Sequence, residues 1–148
     1  MDKTTQTDLT LTDIFAEHCK ILLEDISATA TNHNKKMAKR ITAVGEALVT
    51  LYASIFEISF YKADDYLYIL ACGGADERIK AKKELIIDPQ DHILGKFSDC
   101  VNKNIDDECK YGIDIATEVT TIYAEWKRMS YDAASNLLCS VNRREVTV

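Results

Sequence analysis

The sequence predicts an all-α fold, an antiparallel helical bundle with two long amphipathic helices and shorter connecting helices. Three observations predict it. Apolar residues recur at alternating steps of four and three over long stretches, which places them on one buried helical face. The 148 residues include only five Gly and one Pro, too few for a turn-dense all-β chain. The hydrophobic share of 47% and charged share of 28% suit one globular domain with an ordinary core and are too apolar for a disordered chain.

Residues 1–11 carry Thr and Asp in quantity, with Leu9 and Leu11 as their apolar anchors after Met1, so they read as an extended tail. A single helical domain is expected over 12–141, with a second tail over 142–148. Thr12 is the expected cap of a first helix over about 13–30, where Asp13 and Glu17 meet the positive end of the helix dipole. Phe15, Cys19, Leu22 and Ile26 share one face of it. The polar run from Thr29 to Asn34 either breaks this helix or forms its weak middle.

From Met37 the pattern resumes as Met37, Ile41, Val44, Leu48, Leu51, Ile55 and Ile58, four and three in strict alternation. Lys39, Arg40, Thr42, Glu46 and Thr50 occupy the other face. Such a helix must bury its stripe against a partner, either within the chain or in a second copy, so this seam is the candidate for self-association or for the core.

Residues 56–72 admit two readings. Phe56–Tyr61 and Tyr66–Cys72 are aromatic-rich enough for a β-hairpin around Asp64-Asp65, or they are the end of one helix and a short second one stopped by Gly73-Gly74. The long seam leading into them favours helix. Asp76 is the expected cap of a short charged helix through Glu84, and Asp88-Pro89 the start of the next, which presents Ile93, Leu94, Phe97, Cys100 and Val101. A final long helix from about Ile113 carries Ile115, Val119, Ile122, Trp126, Met129, Ala133 and Leu137 on its seam.

Chemistry is mostly absent. The formal net charge of −6 argues against a nucleic-acid or anionic-membrane surface. The basic runs at Lys35–Arg40 and Arg78–Lys83 read as solvated helix faces. No apolar run reaches the roughly 20 residues of a membrane span, and no secretory or mitochondrial signal opens the chain. Five scattered cysteines without a C-x-x-C pair point to a reducing, cytoplasmic setting.

None of His18, His33 and His92 follows a Glu by three residues, so helical di-iron chemistry is unsupported. His18 beside Cys19 reads as a partly exposed histidine next to a core thiol, since neighbouring helical residues point apart. There is no phosphate-binding glycine motif. A non-enzymatic chain without metal or cofactor is expected.

One segment carries a partner. Lys3, Thr4, Thr5, Gln6 and Thr7 resemble the K-x-T-Q-T peptide bound by the small dynein light chain. The resemblance covers five residues and implies β-augmentation, in which an extended peptide adds a strand to a sheet edge. It further implies that Gln6 caps a helix end across the groove, that Thr5 and Thr7 point together into it, and that Lys3 meets its rim. Each light-chain dimer would then hold two copies, an arrangement that suits a homo-oligomer.

Val146-Thr147-Val148 resembles a hydrophobic-type PDZ ligand, although a frayed end is the favoured reading. The sequence thus describes an interaction protein, an adaptor or assembly subunit. Its alternative is a compact regulator, similar to viral or cellular helical apoptosis regulators, that holds a partner's helix in a surface groove; that alternative requires an exposed apolar cleft.

Overall fold

The computed structural model describes residues 11–31, 35–84, 93–106 and 111–147. Within them the fold is all-α: α1 (Leu11–Thr31), α2 (Lys35–Phe56), α3 (Phe60–Cys72), α4 (Ala75–Glu84), α5 (Ile93–Asp106), α6 (Gly112–Lys127) and α7 (Tyr131–Thr147). No strand occurs among the described residues, and Phe60–Cys72 is helical, so the hairpin alternative for 56–72 is replaced by the helical one.

Two breaks in the long seams share one design. Glu57 (φ 56°) and Arg128 (φ 56°) take left-handed backbone. Ile58 N–H then bonds to the Ala53 carbonyl and Met129 N–H to the Ala124 carbonyl, both at 3.0 Å, in Schellman closures of α2 and α6. A serine follows each time. Ser59 Oγ accepts from Lys62 N–H and Ser130 Oγ from Ala133 N–H, both at 3.1 Å, capping α3 and α7. The chain bends by 109° between α2 and α3. The single final helix expected from Ile113 to Leu137 is therefore two helices.

Two expected caps also change, and the glycine stop stays. Thr12 lies inside α1, where its hydroxyl is 3.0 Å from the Tyr52 phenol. Asp76 lies inside α4; the bond at that terminus runs from Gly74 N–H to Glu77 Oε1 at 3.0 Å. Gly73 ends α3 without left-handed backbone, but a Cβ there would sit 2.6 Å from the Ile69 carbonyl oxygen, so only glycine fits. The Asp88-Pro89 start lies outside the described residues. α7 runs on to Thr147, so residues 142–147 are helical where a tail was expected.

The core forms where α1 packs against α2, α3 and α6, and α5 against α6 and α7. An aromatic chain crosses it. Tyr66 and Tyr52 ring centroids are 6.3 Å apart, Tyr52 and Phe15 5.3 Å, Phe15 and Phe97 6.2 Å, and Phe97 and Tyr123 5.0 Å, joining α3, α2, α1, α5 and α6. Burying each such side chain is worth roughly 1.5–3 kcal/mol. At the other end Ser98 is fully buried and donates to the Leu138 carbonyl, which also accepts from Asn102 at 3.2 Å, tying α5 to α7.

Candidate functional site

Helix periodicity gives α2 two usable faces. Val44, Leu48, Leu51 and Ile55 point into the chain's own core and are buried. Ile41, Gly45 and Val49, spaced by four, line a groove, with Ile41 and Val49 themselves buried. α1 supplies Cys19, Leu22, Leu23 and Ile26, and α3 supplies Phe60, Asp64, Leu67 and Tyr68. The groove has a cavity volume of about 150 Å³, and its polar lining is confined to Thr42, Glu46, Asp64 and the Tyr68 hydroxyl.

Gly45 widens it. A Cβ there would meet nothing within 4 Å, so the glycine leaves a gap over α2 that no neighbour fills. Burial, then the charges of Asp64 and Glu118, pushes the Cys19 thiol up to about 12. That thiol is held protonated and is a poor nucleophile.

Outside the groove lining His18, 8% exposed, bridges α1 to α6. Its Nδ1 meets Glu118 Oε2, and its Nε2 lies 3.1 Å from Glu125 Oε2. The expectation of a partly exposed histidine next to a core thiol is corrected here, because two carboxylates of one helix close over it and the residue is buried. Nothing local in the sequence marks this site, as its partners lie 100 and 107 residues away. Among the described residues no three His, Cys, Asp or Glu side chains gather as a metal site. No buried side-chain nitrogen or oxygen among them lacks a hydrogen-bond partner.

The other sequence candidates fall in different places. Lys3, Thr4, Thr5, Gln6 and Thr7 lie outside the described residues, as do His33 and His92. Of the α2 seam, Met37 is 37% exposed, and Ile58 follows the helix end and is half-buried against the core. Leu48 and Ile55 are fully enclosed by the chain itself, which removes them from any surface. Among the described residues no single helix is long and apolar enough to cross a membrane.

No protein-family model, curated protein or solved structure matches the chain.

Proposed function

We propose that this chain is a non-enzymatic interaction protein, a compact antiparallel bundle that holds the apolar stripe of a partner's amphipathic helix in the groove between α1, α2 and α3. The groove itself carries this reading. Its lining is apolar apart from the side chains just named, and each of three helices contributes one stripe to it. A helix laid in such a groove is anchored by apolar side chains at i, i+3, i+4 and i+7.

Exposed apolar rings extend the surface. Phe60, Tyr68 and Tyr61 project from α3, so the apolar area does not end at the groove walls. An apolar cleft of this kind supports the regulator alternative. The test is protection from amide hydrogen exchange upon adding a synthetic helical peptide with a Leu stripe. Protection confined to α1, α2 and α3 is expected, and protection spread evenly over α5 to α7 would overturn the reading.

A second reading rests on Lys3 to Thr7 and is compatible with the first: the segment recruits the small dynein light chain, making the protein an adaptor that pairs two copies. A cytoplasmic setting belongs to this proposal, supported by the scattered cysteines. Calorimetric titration of residues 1–12 against the light chain tests it. Saturable binding abolished by Gln6→Ala with Thr7→Ala is expected; no binding, or binding indifferent to those changes, removes this reading.

A further inference from the structure

The charged side chains that line the groove are both acidic. Glu46 stands on α2 and Asp64 on α3, each exposed, and neither forms an ion pair among the described residues. No lysine or arginine lines the groove with them. On α3 the sequence Phe60, Asp64, Tyr68 repeats at four-residue steps, so a carboxylate lies between two exposed aromatic rings on one face. A carboxylate between two aromatic side chains suits a guanidinium, which donates paired hydrogen bonds to the acid and stacks on the aromatics.

We infer that the partner helix is cationic: beside its apolar stripe it presents an arginine that lies between Phe60 and Tyr68 against Asp64, with a second basic residue opposite Glu46. This rests on the groove reading proposed above and adds the partner's charge to it. Three further observations favour it. Cys19 lines the same groove as Asp64, whose charge adds to the burial that raises the thiol pKa. The whole chain carries a formal charge of −6, which steers basic partners toward it and slows acidic ones. Gly45 opens the wall of α2 one residue before Glu46, giving a large apolar side chain of the partner a place to enter beside its basic neighbour.

The charge assignment separates this occupant from the others. A second copy of the chain would bring net negative charge to an acidic rim. A helix with glutamates beside its stripe would face like charges at both walls, which is unfavourable at close range.

The test uses the full chain and two synthetic helical peptides of about 18 residues, or five turns. They share one Leu/Ile stripe and differ only at its flanks, which carry Arg in one and Glu in the other. Binding is measured by fluorescence anisotropy at low and high salt. The Arg-flanked peptide is expected to bind about tenfold or more tightly than its counterpart. That preference should shrink with salt and with Glu46→Gln plus Asp64→Asn, while Gly45→Phe removes binding of both peptides. Thr42→Trp, at an exposed position of the same wall, gives a second obstruction should Gly45→Phe lower the melting temperature.

Equal binding of both peptides, blocked by the obstructing variants, overturns the charge assignment and leaves the groove reading standing. Absence of binding by either peptide, or binding that survives both obstructions, overturns both. A dimer in light scattering that Gly45→Phe dissolves also overturns both, since a second copy then covers the groove.

Discussion

His18 of α1 and Glu118 of α6 are joined through Nδ1 and Oε2, and Glu125 one turn pair further along α6 takes the other ring nitrogen at 3.1 Å. Carboxylates accept and do not donate, so both contacts are hydrogen bonds only when the ring is the doubly protonated imidazolium. Burial alone would lower the His18 pKa, but the Glu118 hydrogen bond and the charges of Glu118 and Glu125 outweigh it and raise the pKa above 6.5. Below that raised pKa the tie between α1 and α6 is a charged one.

The stability it contributes follows from that direction. A histidine whose folded pKa lies above its unfolded value adds stability that is complete below pH 6.5 and is lost as pH rises through the folded pKa. Urea unfolding of the native chain should thus show declining stability above pH 6.5, and His18→Gln should flatten that decline. At the acid end of the window the substitution is expected to cost about 0.5–1.5 kcal/mol, the net worth of a typical hydrogen bond, because Glu118 and Glu125 both reach water and can be solvated when the ring is gone. An imidazole resonance of His18 titrating at or below 6.5 would contradict the account.

The left-handed residue that ends α2 offers a stabilising change. A side chain at positive φ costs roughly 1–2 kcal/mol, and glycine escapes that steric cost while giving back part of it as chain entropy. Glu57 is exposed, so Glu57→Gly is expected to raise stability by about 0.5–1 kcal/mol, whereas the β-branched Glu57→Val lowers it. Denaturation midpoints of the two variants should move in opposite directions at unchanged slope.

Those two breaks also mark what was legible in the sequence and what was not. The stripe of Val44, Leu48, Leu51 and Ile55 was readable because a buried helical face imposes its period on the sequence. The stop after it was not, because Glu57 and Arg128 stand where glycine usually signals the turn, leaving only Ser59 and Ser130 as local cues. Gly73 was visible as punctuation for the opposite reason. The groove stayed hidden since Ile41, Gly45 and Val49 form a side face of α2 that looks unremarkable alone and gains meaning only beside α1 and α3. The burial of His18 has no local cue, because its carboxylates arrive from a helix a hundred residues later.

The contact of α5 with α7 should be cooperative. The Leu138 carbonyl accepts from both Ser98 Oγ and Asn102 Nδ2, and Asn102 also donates to the Ser98 carbonyl at 2.8 Å. That carbonyl lies inside α7 and also has the helix's own backbone donor, and Asn102 Nδ2 donates to Ser98 Oγ as well, at 3.2 Å. Ser98→Ala and Asn102→Ala are each expected to cost about 1 kcal/mol, and the double variant less than their sum, because either substitution alone already removes the bond between the two side chains. Additive losses in a double-mutant cycle would show that the two donors act independently.

Gly45 separates stability from binding. A glycine inside a helix costs roughly 0.5–1 kcal/mol relative to alanine, and the space at its Cβ is empty, so Gly45→Ala should raise stability by about that amount. Packing within the chain gives no reason for the residue, since no neighbour approaches the vacant position. A groove that receives a partner's side chain does give one, because the missing Cβ lets that side chain approach the α2 backbone. Gly45→Ala is therefore expected to raise the urea midpoint while weakening the Arg-flanked peptide several-fold, the pattern of a site that retains function at some expense of stability. If the midpoint rises and peptide affinity is unchanged, the glycine is not the feature that admits the partner, and the deepest contact lies instead between α1 and α3 at Leu22, Leu23 and Leu67.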